Sequence, residues 1–373
     1  MSRQLMAAAV LMAALGGATL AGDDGQRMLS VDHYVRVTSS VPAIAGQPAQ
    51  LYVRERVLAG TALRGRSFEN RVVLFVHGAG TPAEVSFDVS YKDYSWMAYL
   101  AQAGYDVFSV DMTGYGRSTR PFPMNDPCNL AAERQAGFTA PCKPSYPGAL
   151  TTIASDWDDV NAAVDYIRAL RRVEKLSLVA WSLGGPRAGG YAARHPQKVN
   201  KLVLLAPGYN RQRTGAAPAK LPVEGTVFNT QSRAEFDANW DRQLGCPGQY
   251  EPGARDAVWT DMLASDPVGA SWGPGVRRAP QTTTWGWDTA TVQKQMTPTL
   301  IVQGIHDKQV DPARARELYA DLGATEKVLV DLGCASHNAM WETNHTLLFA
   351  ASLEWLDKGT VKGSKSGELK MGY

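Results

Sequence analysis

Short unbroken apolar runs alternate along most of this chain with longer segments whose apolar residues recur at helical spacing. The runs read as strands buried on both faces, because a strand wetted on one side would alternate apolar with polar positions. They lie at 71–76, 106–110, at the run that begins with Leu176, and at 199–206, 299–303 and 327–330. Two further strands are predicted at 33–38 and 50–57, joined by a turn around Pro42 and Gly46-Gln47-Pro48. Helices are predicted at 94–103, where Gly104 is the stop signal, and at 151–170, where Ile153, Trp157, Val160, Val164 and Ile167 recur on one face. Others follow at 186–194, 312–322 and 338–356. Strand and helix in alternation imply an α/β fold: a mostly parallel central sheet with helices on both faces.

The pattern breaks in four places. Residues 119–150 are rich in Pro, carry Cys128 and Cys142, and read as an ordered insertion. Residues 207–296 show little periodicity and contain Trp240, Trp259, Trp272, Trp285 and Trp287. That stretch is too long for a simple loop, and it reads as an inserted cap whose tryptophans form its own core and line an apolar, aromatic-accepting pocket. Residues 358–373 form a basic, Gly-containing tail, expected to be mobile. Residues 1–21 resemble a secretory signal, with Arg3 at the positive end, Leu5 to Leu15 as the apolar middle and Thr19-Leu20-Ala21 as the small-residue exit. The apolar run is short for a membrane anchor and is broken by Gly16-Gly17. Cleavage after Ala21 is therefore expected, with a periplasmic or secreted product whose core is 22–206 and 297–357.

Composition narrows the function classes. Of 373 residues, 45% are hydrophobic and 20% charged, ordinary for a globular protein, and the net charge of +2 gives no electrostatic case for nucleic acid. No stretch after the N-terminus is apolar for long enough to span a bilayer, so stable membrane insertion is not expected and a small-molecule substrate is the expected partner. The four cysteines allow three pairings. Cys128 and Cys142 share one insertion and are expected to pair locally, leaving Cys246 with Cys334 and no free thiol. Their spacing matches no zinc site, and neither a metal nor another cofactor is expected.

The candidate chemistry sits at strand ends. The run from Leu176 stops in Ala180-Trp181-Ser182-Leu183-Gly184 and a helix follows. A serine in a strand-to-helix turn has strained backbone angles and tolerates only small flanking residues, here Ala180 and Gly184. The strand at 71–76 runs into His77-Gly78-Ala79-Gly80, whose glycines let backbone N–H groups face a ligand. Asp307 follows a later strand and His337 the last predicted one. In an open α/β sheet such ends share one crevice, so a hydroxyl, a base and an orienting acid from distant parts of the chain meet there. The rivals read as structural. Asp111 lies in a glycine loop, Asp311 opens a helix, and His195 ends one. His345 lies inside the final helix, Glu342 is expected to be solvated on it, and Asp156, Asp158 and Asp159 suit a helix N-terminus.

In that order, Ser182, Asp307, His337, the chain resembles the α/β-hydrolase superfamily over roughly 71–356, apart from the two insertions. The resemblance implies Ser182 as nucleophile, His337 as base, Asp307 as acid, and the N–H groups of Ala79 and Leu183 as oxyanion hole. Trp181 and His306 are assigned to the substrate pocket. The implied activity is that of an exported serine hydrolase cleaving a carboxylic ester with an apolar or aromatic group. The alternatives are an amidase or aminopeptidase, for which cap carboxylates (Glu224, Asp237, Asp241, Glu251, Asp256, Asp261, Asp266) would hold a substrate amine, and a non-catalytic binding protein. Halide and epoxide chemistry is disfavoured, because those relatives carry Asp where this chain has Ser182.

Overall fold

The computed structural model describes residues 26–63, 67–135, 142–212, 226–273, 277–282 and 286–373, and nine of the strands among them join in one sheet. In chain order the elements are β1 (Met28–Thr38), β2 (Pro48–Leu58), α1 (Ala59–Leu63), β3 (Val72–Val76), α2 (Ala83–Phe87), α3 (Trp96–Gln102), β4 (Asp106–Val110), α4 (Ile153–Arg171), β5 (Leu176–Trp181), α5 (Gly184–Arg194), β6 (Val199–Leu205), β7 (Phe228–Gln231), α6 (Arg233–Asp241), α7 (Pro252–Ala264), α8 (Pro267–Ala270), β8 (Arg277–Pro280), α9 (Thr289–Val292), β9 (Thr299–Gly304), α10 (Pro312–Asp321), β10 (Lys327–Leu332), α11 (His345–Lys358) and β11 (Gly367–Met371). The sheet order is β1-β2-β4-β3-β5-β6-β9-β10-β11. The β1–β2 and β2–β4 pairs are antiparallel and the other six are parallel.

The apolar runs follow from that arrangement. Successive side chains of a strand point to opposite faces, and both faces are covered. Val73, Phe75, Val179 and Val203 pack with Trp96, Leu100 and Phe349 of α3 and α11. Val72, Leu74, Leu178 and Leu204 pack on the other side with Val160, Ala188 and Leu318 of α4, α5 and α10. The long helix α4 starts in a capping box between Thr152 and Ser155 and stops at Arg172, which is left-handed at φ 55°. Such a cap is worth about 1 kcal/mol.

Three departures from the sequence reading have physical causes. The tail is not mobile at 367–371: β11 adds in parallel to the free edge of β10. Leu369 and Met371 face inward and Glu368 and Lys370 outward, a period-two pattern hidden by the basic composition. Among its described residues the segment between β6 and β9 contains four helices, α6 to α9, despite its weak periodicity. Helix α6 opens with a capping box of Ser232 and Glu235, and α7 with Pro252 in its first turn. Finally, 338–356 is not one helix. A 3-10 turn (Ala339–Trp341) precedes α11, and between them Glu342 turns inward.

The disulfides are Cys128–Cys142 and Cys246–Cys334, and no cysteine is free. No helix among the described residues is long and apolar enough to cross a membrane. The candidate signal at 1–21, Trp285 and Glu224 lie outside the described residues.

Candidate active site

Ser182 follows β5 with φ 57°, in the left-handed region that only a fixed environment imposes on a serine. Its neighbours show why the flanks must be small. A Cβ on Gly184 would lie 2.3 Å from the Val76 carbonyl oxygen, and one on Gly78 would lie 2.8 Å from Ser182 Cβ. The Ser182 N–H donates to Leu205 O (3.0 Å), and its carbonyl accepts from Gly185 and Gly208 N–H, both at 2.9 Å.

The glycine loop after β3 is held from below by a side chain that sequence reasoning passed over. Arg187 of α5 is fully buried, pairs with buried Asp156 (2.7 Å), and donates to the carbonyls of His77 (2.9 Å) and Gly78 (3.0 Å). Across a trans peptide the N–H points opposite to the carbonyl. Arg187 on Gly78 O therefore leaves the Ala79 N–H pointing away from the guanidinium. His77 is buried too. Its Nδ1–H donates to Gly78 O (2.7 Å) and its Nε2 accepts from Met112 N–H (3.1 Å), which fixes one neutral tautomer. Burial, and next the Arg187 charge, hold its pKa well below the usual histidine range. Asp156 was read as a dipole partner; its pairing with Arg187 is invisible without the fold.

His337 Nδ1 lies 2.8 Å from Asp307 Oδ2, both side chains 1% exposed. Asp307 Oδ1 accepts from the N–H groups of Gln309 (2.7 Å) and Val310 (2.9 Å), so its own loop orients it. The rival Asp311 instead caps α10 through Ala313 N–H (2.9 Å). Trp181 joins this group to the serine turn: its indole N–H donates to His337 O (2.8 Å).

Residues 243–249, from the segment between β6 and β9, grip the His337 loop. Gln243 Oε1 accepts from His337 N–H (3.2 Å), Cys246 is bonded to Cys334, and Gln249 Nε2 donates to Glu342 (2.9 Å). Glu342 is therefore not solvated. It is fully buried, accepts from Ser336 N–H (2.7 Å) and from the Ser336 hydroxyl, and burial pushes its pKa up to about 7. Gln243, Gln249 and Glu342 were missed as site residues, since only tertiary contact brings them to His337. Gly245 packs against His306, whose ring a Cβ there would meet at 2.1 Å. His306, assigned to the substrate pocket, thus supports this grip and lines neither cavity described next.

Two cavities adjoin the serine turn. The larger, about 620 Å³, is lined by Ala79, Gly80 and Leu183, by polar residues of β7 and α6, and by the end of β8 with Gln281 and Thr282 after it. The smaller, about 220 Å³, has the rings of Trp181, Phe236, Trp240 and Trp341 on its walls together with polar Thr81, Asn239 and Asn338. Ala79, Gln231 and Gln309 border both. The remaining histidines are structural. His33 bonds Glu55 (2.7 Å), His195 ends α5, and His345 stacks on Tyr94 at 3.9 Å between ring centres.

Residues 69–344 match the family model described as serine aminopeptidase, S33 (Hydrolase_4). Over 84 residues the chain is 36% identical to a pimeloyl-[acyl-carrier protein] methyl ester esterase of Chromobacterium violaceum, a match that spans 22% of this chain and 32% of that protein. In fold it is similar to a thermophilic esterase of Thermogutta terrifontis, with 16% identity and a TM-score of 0.54 over 87% of this chain and 98% of that one. It is likewise similar to a bromoperoxidase of Bacillus anthracis, with 13% identity and a TM-score of 0.52 over 87% and 99%.

Proposed function

We propose, starting from a chain that belongs to the serine aminopeptidase S33 family of α/β-hydrolases, that this protein hydrolyses a carboxylic ester through Ser182, His337 and Asp307. The observation that carries the reading is the buried His337–Asp307 pair at 2.8 Å, tied to the serine turn through Trp181. His337 takes the Ser182 proton as the hydroxyl attacks the ester carbonyl. The N–H groups of Ala79 and Leu183 hold the oxyanion, each worth about 2.7–4 kcal/mol at the transition state. His337 then protonates the leaving alcohol and activates water against the acyl-enzyme, while Asp307 fixes the imidazole tautomer and stabilises its cation.

An ester is favoured over a peptide amine by how the carboxylates are used. Among the described residues, Asp237, Asp241, Glu251, Asp256 and Asp266 are ion-paired with Arg or Lys. Asp261 accepts from the Ser90 backbone. The one carboxylate lining either cavity, Glu235, is paired with Arg134. None stands ready for a substrate ammonium. The signal-like N-terminus and the two disulfides support export to an oxidising compartment.

Ser182→Ala is expected to abolish turnover of an aryl ester while leaving the thermal transition in place, and a fluorophosphonate is expected to label the native protein at Ser182. Native-like turnover by the variant removes the proposal. Faster cleavage of an aminoacyl arylamide than of the matched ester moves it to the peptidase alternative, and an unlabelled native protein moves it to a binding role.

A further inference from the structure

Two buried polar side chains on the wall of the smaller cavity, Thr81 and Asn338, have no partner among the described residues, and we infer that they hold a hydroxyl of the substrate a few bonds from the ester carbonyl. This rests on the hydrolase reading above and adds the substrate class: an ester of a short hydroxy acid or of a short diol.

Thr81 and Asn338 are 3% and 4% exposed. Only their backbones are engaged. The Asn338 N–H donates to Ser336 Oγ (3.2 Å), its carbonyl accepts from Trp341 N–H (2.7 Å), and the Thr81 carbonyl accepts from the Ser86 hydroxyl (3.5 Å). The Thr81 hydroxyl and the Asn338 amide make no hydrogen bond among the described residues, yet neither is sealed in by its neighbours. The little surface they keep opens on the cavity that both residues line. Buried polar groups are nearly always bonded, so two unbonded ones on one wall mark where a ligand supplies the bonds. Other amides there are already partnered: Asn239 donates to Gln309 (2.6 Å).

The chemistry of the wall selects the group. No charged side chain lines this cavity among the described residues, and a buried charge without a counter-charge is costly, so a carboxylate or an ammonium is disfavoured. A carboxamide offers both an acceptor and donors, and a threonine hydroxyl does the same. A substrate hydroxyl answers both kinds at once, whereas an ether or a ketone leaves Asn338 Oδ1 without a donor. Position in the chain sets where that hydroxyl stands. Asn338 follows the proposed base, and Thr81 is two residues beyond Ala79, hence within about 7.6 Å of it between Cα atoms. Size sets the limit. An apolar cavity of about 150 Å³ holds benzene, so about 220 Å³ takes a short group whose carbons rest on the rings of Trp181 and Trp240.

The test is kcat/KM for ester pairs that exchange one hydroxyl for a methyl at nearly constant shape, each value divided by that ester's alkaline hydrolysis constant. On the acyl side the pairs are methyl lactate against methyl isobutyrate and methyl 3-hydroxybutanoate against methyl 3-methylbutanoate. On the alcohol side the pair is 2-hydroxypropyl butanoate against 2-methylpropyl butanoate. Each enantiomer is assayed separately. For at least one pair the hydroxyl is expected to be preferred by roughly tenfold, and the side on which it is preferred tells a hydroxy acid from a diol. Thr81→Val with Asn338→Leu is expected to bring that ratio to near one, a change that a merely structural role for these residues does not produce. Ratios near one or below for the native protein in every pair overturn the inference without needing any variant to fold, and so does a ratio that survives the substitutions. Native protein that turns over the methyl-bearing esters and takes the fluorophosphonate label, yet shows no hydroxyl preference, defeats this inference alone. Protein that does neither defeats the hydrolase reading and this inference with it.

Discussion

Ser182 and His337 each follow the C-terminal end of a parallel strand, yet what holds them comes from different parts of the molecule. Around Ser182 the supports belong to the central layers: backbone of β3 and β6, glycines that admit no Cβ, and Arg187 with Asp156 beneath the glycine loop. Around His337 they come largely from the segment between β6 and β9, through Gln243, Gln249 and the Cys246–Cys334 bond. The Ser182 turn is therefore held by the core, whereas the His337 loop is held by the segment between β6 and β9. Damage to the first should cost stability and activity together. Damage to the second should cost activity ahead of the core.

The strongest way to break that contrast is Arg187→Met, which strands buried Asp156 without its cation. The expected loss is about 3–5 kcal/mol of unfolding free energy, read by denaturant titration, with ester turnover falling in step. A variant that keeps native stability but loses turnover would erase the distinction. Next is Cys246→Ser with Cys334→Ser, which opens a link across 88 residues. A loss of about 2–4 kcal/mol is expected, with turnover lost at temperatures where far-ultraviolet circular dichroism is still native. Removing Cys128–Cys142, which spans 14 residues, should lower the thermal midpoint and leave turnover per folded molecule unchanged.

Glu342→Gln sharpens the comparison through pH. A carboxyl whose folded pKa is raised to about 7 keeps its proton where the unfolded chain, titrating near about 4.3, has released it. Between those values the folded state binds more protons, so this group's contribution to stability falls as pH rises. The stability difference between native protein and variant should therefore narrow from pH 5 to pH 8 in thermal unfolding. A difference that widens would reverse the assignment. At low pH the variant is expected to be weaker by about 1–3 kcal/mol, since one accepting oxygen becomes a donor facing Ser336 and Gln249. The smallest effect is expected from Gln243→Ala, which frees the His337 N–H. Here kcat should fall by up to about tenfold with KM and the unfolding midpoint nearly unchanged, matching one neutral hydrogen bond.

Much of the fold was legible because its cause is local. Strands covered on both faces must be apolar at every position, and 71–76 and 106–110 are written that way. The serine turn was legible for a steric reason, since only small residues fit beside β3. The edge strand β11 was obscured because its outward positions carry the charges that made the tail look mobile. The helices α6 and α7 were obscured because their start signals, Ser232 with Glu235 and Pro252, stand beside weak periodicity.

Pattern along the chain determined which segments become strands and helices, the mostly parallel order, and where a strained serine, an acid and an imidazole stand at strand ends. Spacing within a segment sets periodicity and turn sterics, and those are carried by neighbours in sequence. Tertiary structure decided which of the acids meets His337, that Glu342 is buried beside its loop, that Arg187 bonds the glycine loop, and that His306 packs against Gly245. Each of these depends on where side chains distant in sequence converge, and on the water their convergence excludes.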